Sequence, residues 1–143
     1  MVRSTKKNLT EKDARGKILA EKDARVKILP EKDIRVNGSL WLEHEGRRFF
    51  GPGPVQLLEG IEETGSISKA AKKMQMSYKK AWDIVNNLNT TANTPLVITA
   101  TGGEKGGGST ISQEARDLMA AYKQLRQRFA AFLEEESKRA QKH

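Results

Sequence analysis

The sequence predicts a mainly α fold with a small β component. Three observations carry this. Two short amphipathic helix patterns flank a two-residue break within 65–89; a strand-forming stretch and a glycine cluster fill 95–112; a heptad-spaced apolar seam begins at Ala115.

The elements follow in chain order. A decapeptide recurs at the start as TEKDARGKIL (10–19), AEKDARVKIL (20–29) and PEKDIRVNGS (30–39). A period of ten keeps one face for a strand, whose side chains alternate, and drifts by about 80° per copy on a helix of 3.6 residues per turn. Short strands with EKD at the turns are one reading, and a charged tail with little order is the other. The third copy reads as strand, the first as tail, and the second fits either. From Ile34, apolar Val36, Leu40 and Leu42 alternate with Arg35, Asn37, Ser39 and Trp41, the period of a half-buried strand. His44-Glu45-Gly46 can turn the chain, and Arg47 to Phe50 can return as a second strand.

GPGP (51–54) ends that hairpin, and Pro54 suits a helix's first turn, where its missing N–H costs nothing. Leu57, Leu58 and Ile61 form the inward face, and Gly65 stops the helix. Ile67, Ala70, Ala71 and Met74 mark a second helix, capped by Ser66 or Ser68. Gln75 and Met76 form the break. Ser77 caps a third helix with Ala81, Ile84 or Val85, and Leu88 inward, and Trp82 reads as packing. Small alanines let the two helices cross closely, the pattern of a helix-turn-helix. Residues 84–103 hold no charged side chain. Within and after them, Pro95–Thr101, the tip GGEKGGG (102–108) and Ser109–Ser112 read as a hairpin, which after a helix-turn-helix is a wing. Ser112 then caps a long helix with Glu114 and Asp117 early, where the helix dipole favours acids. Ala115, Leu118, Tyr122, Leu125, Phe129 and Phe132 form a heptad seam that suits packing on a twin or on the same domain. The tail from Glu134 is polar and is expected to fray.

The expected fold is thus a winged helix-turn-helix with an N-terminal β-hairpin and a long C-terminal helix, a dimerisation helix if its seam meets a twin. Residues 1–33 form a basic arm, 34–112 the winged domain and 113–143 the helix with its frayed tail.

Charge points to the partner. The 143 residues carry 26 basic and 18 acidic side chains, a formal charge of +8, and so large an excess favours an anionic partner, nucleic acid first. Lys69, Lys72, Lys73, Lys79 and Lys80 lie between Ser66 and Lys80 with no acid among them. Such lysines can neutralise phosphates and release counterions. A lysine run is more often only a solvated face; its coincidence with a capped second helix and a wing raises the functional reading. The expected DNA contacts are Ser66, Ser68 and Lys69; Ser77, Tyr78, Lys79, Lys80, Asp83 and Asn86 along the reading helix; and Lys105, Gly106 and Gly107 at the wing tip. Leu118, Tyr122, Leu125, Phe129 and Phe132 are the dimer contacts expected if the seam packs on a twin.

Other chemistries find little material. There is no cysteine, and the two histidines are His44 and His143, so no metal and no cofactor are expected. Lys105 precedes the glycines of GGEKGGGST, the wrong order for a nucleotide-phosphate loop. No histidine stands near a serine nucleophile, and no catalytic residue or enzymatic activity is expected. No apolar run nears the roughly 20 residues that span a bilayer, and the N-terminus is not a secretory signal; no membrane association is expected, and the cytoplasm is the expected location.

GPGPVQLLEGIEETGSISKAAKKMQMSYKKAWDIVNNLN followed by PLVITATGGEKGGGSTIS resembles the N-terminal DNA-binding domain of ModE-type regulators, the molybdate-responsive bacterial repressors. The resemblance covers about 34–133 and rests on GSIS-x-AA, MSYKKAWD and LV-x-x-ATGG-x-x-GGG. The core S-x-S-x-AA-x-x-M-x-M-S is also similar to the LysR family. The resemblance implies a supporting helix over Ser66–Met74, a recognition helix over Ser77–Leu88, a wing over Thr101–Thr110, a homodimer through the long helices, and a palindromic operator. ModE-type regulators carry C-terminal molybdate-binding domains, and this sequence reads as a stand-alone form without them. The decapeptide belongs to neither family's pattern.

The leading expectation is therefore a sequence-specific, double-stranded DNA-binding transcriptional regulator acting as a dimer. The alternative is a non-catalytic protein-interaction or oxyanion-sensing module on the same scaffold. No convergent polar group in the sequence supports a small oxyanion effector.

Overall fold

The structure, a computed structural model, describes residues 30, 32–100 and 108–141. The first two decapeptide copies and the wing tip with Lys105, Gly106 and Gly107 lie outside the described residues. Within them the order is β1 (Leu42–His44), β2 (Arg47–Phe50), α1 (Pro52–Thr64), α2 (Ile67–Lys73), α3 (Tyr78–Thr91), β3 (Val97–Thr99), β4 (Ser109–Ile111) and α4 (Gln113–Gln141). The fold is mainly α with two small antiparallel hairpins, β1–β2 and β3–β4. Two units divide these residues: Ser39–Phe129, and the residues up to Gly38 together with those from Ala130.

In the larger unit, local chemistry sets the helix ends. Helix α1 has proline in its first turn and stops at Gly65, whose φ of 72° is the left-handed conformation glycine adopts without strain. Its N–H bonds the Ile61 carbonyl at 2.7 Å. Of the two serines able to cap α2, Ser66 does so, its Oγ accepting from the Lys69 N–H at 3.0 Å. Ser77 caps α3 through the Lys80 N–H at 3.1 Å. Between these helices Gln75 takes φ 55°. Its N–H reaches the Lys72 carbonyl, and the Met76 N–H reaches the Ala71 carbonyl. These paired bonds are a Schellman stop, so the tight turn carries glutamine where glycine is usual.

The inward faces meet in one core. Leu57, Leu58 and Ile61 of α1, Ala70 of α2, and Ala81, Val85 and Leu88 of α3 are buried in it with Phe50. Val85 takes the fully buried position, and Ile84 is only partly buried beside it. The helices α1 and α2 cross so closely that a Cβ on Gly60 would lie 2.9 Å from Ala70 Cβ. From α4, Ala115 and Tyr122 complete the core. The Tyr122 ring meets Phe50 edge-on, centroids 5.3 Å apart, and its hydroxyl donates to the Leu40 carbonyl at 2.8 Å.

The strand expected from Ile34 begins only at Leu42. The alternation is present, but the backbone before Leu42 finds side-chain partners in place of a β ladder. In the smaller unit the Val36 N–H donates to Ser137 Oγ at 2.8 Å, that hydroxyl donates to the Leu133 carbonyl at 2.8 Å, and Arg35 pairs with Glu134 at 3.2 Å. Ser137 is 1% exposed. Helix α4 accordingly continues through the segment expected to fray, as far as Gln141.

Candidate nucleic-acid interface

Helix α3 has two faces with different chemistry. Ala81, Val85 and Leu88 point inward, and Tyr78, Lys79, Lys80, Asp83, Asn86 and Thr90 are exposed. The cap at Ser77 and the stop at Gln75 fix where the helix begins, so Tyr78, Lys79 and Lys80 form its first exposed turn. Tyr78 is 54% exposed and rests edge-on against Trp82, centroids 6.1 Å apart. Trp82 packs against the core, as its position beside the inward face suggests.

Electrostatic pairing divides the lysines. Lys79 Nζ bonds Asp83 Oδ2 at 3.1 Å, four residues along one helix face. Both groups are largely exposed, so solvent screens this pair and its energy is small. Lys73 pairs with Glu63 of α1. Among the described residues, Lys69, Lys72 and Lys80 are in no ion pair. Ser66 is occupied as a cap, whereas Ser68 is exposed on α2.

The wing stands on backbone contacts. Strand β3 pairs with β4 in the register Val97↔Ile111, Ile98↔Thr110 and Thr99↔Ser109. The Ser109 N–H donates to the Gly65 carbonyl at 2.9 Å, and the Ser112 N–H to the Leu96 carbonyl at 3.0 Å. Asn89 of α3 ties the other side: its Oδ1 accepts from the Leu96 and Val97 N–H groups and its Nδ2 donates to the Val97 carbonyl. Ile98 is 48% exposed on the strand.

On the opposite flank Asn87 Nδ2 donates to the Arg48 carbonyl at 3.1 Å, tying β1–β2 to α3. The hairpin turns on Glu45 and Gly46, at φ 51° and 78°, which matches the strands' right-handed twist. Arg48 sits 5.2 Å from the Trp41 ring centre, and that ring covers Gly51 so tightly that no Cβ fits there.

The structure thus brings Ser77, Tyr78, Lys79, Lys80, Asp83 and Asn86 onto one helix between two hairpins, with Ser68 and Lys69 on the helix before. The expected seam on α4 divides. Tyr122 is buried in the chain's own core, Leu118 is partly buried against it, Leu125 and Phe129 are half-buried, and Phe132 is 56% exposed. The structural roles of Asn87 and Asn89, and the arginines of β2, escaped the sequence reading. The pair Arg47-Arg48 after a Glu-Gly turn was the one local signal available.

No group of three or more His, Cys, Asp or Glu side chains among the described residues could hold a metal ion. No described helix is long and apolar enough to cross a membrane.

No protein-family model matches the chain. Individual proteins do. The molybdenum transport protein ModE of Azotobacter vinelandii is 40% identical over 59% of this chain and 32% of its own length. The transcriptional regulator ModE of Yersinia pestis is 42% identical over 58% of this chain and 32% of its own. The DNA-binding transcriptional dual regulator ModE of Escherichia coli K12 is 39% identical over 62% and 34%. The chain resembles the N-terminal region of ModE-type regulators. It spans about a third of the length of the curated relatives it matches.

Proposed function

We propose that this chain is a sequence-specific, double-stranded DNA-binding transcriptional regulator that acts as a homodimer on a palindromic operator. One observation carries the reading: α3, capped at Ser77 behind a tight turn, exposes Tyr78, Lys79, Lys80, Asp83 and Asn86 between two hairpins while burying its apolar face. The ModE relatives named as transcriptional regulators support it.

In this reading α2 crosses the DNA backbone with Ser68 and Lys69, and α3 enters the major groove by its N-terminal turns. Lys80 meets a phosphate or a guanine edge, and Lys79 exchanges Asp83 for an anionic partner of the duplex. The wing tip with Lys105, Gly106 and Gly107 follows the adjoining sugar–phosphate wall. The partly exposed apolar strip Leu125, Phe129 and Phe132 on α4 supports a partner helix there. The basic arm 1–33 adds non-specific affinity. The protein needs no catalytic group for this work.

Selection of bound duplexes from a random pool, followed by sequencing, tests the reading. The expected product is a pair of inverted half-sites one helical turn, about 34 Å, apart. A pool that leaves the selection with no sequence preference overturns it.

A further inference from the structure

Hairpin β1–β2 makes no DNA contact in the reading above, yet its two arginines stand beside the exposed face of α3. The Asn87 bond to the Arg48 carbonyl pins the hairpin to the helix. Successive side chains of a strand point to opposite sides, and Arg47 and Arg48 obey this about the Asn87 bond. Arg47 lines an open cleft of about 500 Å³ with Asp83, Asn86 and Thr90. Arg48 lines a second cleft of about 360 Å³ with Lys80. Asn87 lines both.

The charge is available. Both arginines are exposed, and among the described residues neither is in an ion pair. Glu43 lies opposite Arg48 across the hairpin without forming an ion pair with it, and Glu45, which lines the first cleft with Arg47, lies 3.6 Å from His44. Asp83, the second acid lining the first cleft, is held by Lys79. The Trp41 ring steadies Arg48 by a cation–π contact. The wing holds the other flank of α3 through Asn89, about 200° around a helix of 3.6 residues per turn from Asn87.

We propose that β1–β2 is a second phosphate-contacting arm, in which Arg47 and Arg48 donate to backbone phosphates of duplex DNA on the flank of α3 away from the wing. The inference rests on the DNA-binding reading and extends it. A guanidinium presents a planar fork of donors that fits two phosphate oxygens at once. Such contacts set the register of the helix in the groove without reading bases. Two arms then grip the backbone on either side of one reading helix.

The test is anisotropy titration of the full chain, at a series of salt concentrations, against two labelled duplexes: one of arbitrary sequence and one recovered from the selection. Arg47→Gln is expected to flatten the slope of log affinity against log salt by about 0.9, and the double variant with Arg48→Gln by about twice that. The loss should be the same on both duplexes, and Arg47→Lys should keep the slope. Thermal melting accompanies each variant, and Arg47→Gln, at an exposed position, serves alone if loss of the Arg48–Trp41 contact unfolds the double variant. A folded Arg47→Gln protein with the parent slope overturns the arm and leaves the DNA reading standing. A parent protein that binds neither duplex at any salt concentration overturns both.

Discussion

Asn87 and Asn89 stand two residues apart on α3 and hold hairpins on opposite flanks of it. Asn87 donates to the Arg48 carbonyl at 3.1 Å. Asn89 donates to the Val97 carbonyl at 3.1 Å and accepts from the Leu96 and Val97 N–H groups at 2.8 and 3.0 Å. The two amides differ in what they leave behind. Leu96 and Val97 are 2% and 3% exposed, so Asn89→Ala strands polar backbone groups away from water. A cost of about 2–4 kcal/mol is expected, since each buried unsatisfied group costs about 1–3 kcal/mol. Asn87→Ala removes the exposed bond to Arg48 and a long 3.3 Å bond accepted from the Thr91 hydroxyl, groups that water can reach, and should cost about 1 kcal/mol or less. Urea denaturation of both variants checks the order; equal losses would contradict it.

The turn between α2 and α3 holds Gln75 at φ 55°. A side chain in that conformation costs roughly 1–2 kcal/mol, and glycine avoids the cost but gives up unfolded-state entropy. Gln75→Gly is therefore expected to stabilise by up to about 1 kcal/mol, and Gln75→Val to destabilise, because a β-branched residue suits that region least. Chemical denaturation midpoints read both signs.

Gly60 is the opposite case. Alanine is the better helix former by about 1 kcal/mol, but its Cβ would lie 2.9 Å from Ala70 Cβ. Overpacking of this kind costs about 1–3 kcal/mol, so Gly60→Ala should lower the melting temperature. Adding Ala70→Gly makes room for the new methyl, and the double variant should recover part of the loss despite a second helix glycine. Additive losses in the pair would exclude the contact as the cause.

Under the proposed function, Asp83 separates two modes of reading DNA. As partner of Lys79 it offsets a cation at the interface. Asp83→Asn should then strengthen binding to every duplex alike and steepen the salt dependence. If Asp83 accepts from a cytosine amine instead, the same variant loses preference at one operator position, with about 1–3 kcal/mol of discrimination gone. Sequencing of duplexes selected by parent and variant distinguishes the two.

Much of the fold was legible because its signals are local. Ser66, Ser77 and Gly65 mark helix ends through bonds to residues three or four positions away, and the apolar periods of α1 to α3 name most of their buried residues. Periodicity alone could not choose between Ile84 and Val85, which differ by one step around the helix. The strand read from Ile34 had the right alternation, but a ladder needs a partner, and the Val36 N–H found Ser137 instead. Tyr122 fits a heptad seam equally well whether Phe50 or a second helix covers it, and only the tertiary contact decides. At the interface, lysines and caps were readable from residue type. The tasks of Asn87 and Asn89 were not, since their partners lie 39 and 8 residues away and leave no pattern around the asparagines.

The seat of β4 on Gly65 has a corollary for how this scaffold can diversify. The atom that receives the Ser109 N–H is a main-chain oxygen, which no side-chain replacement deletes. Ser109 itself contributes only its amide to that bond, which every amino acid but proline supplies. Replacement of Thr110, the exposed residue between buried Ser109 and Ile111, can therefore alter what the hairpin offers a ligand without unseating it. A replacement at residue 65 that refuses the left-handed backbone, an imino acid at 109, or a side chain that does not fit the buried positions 109 and 111 would shift the mount itself.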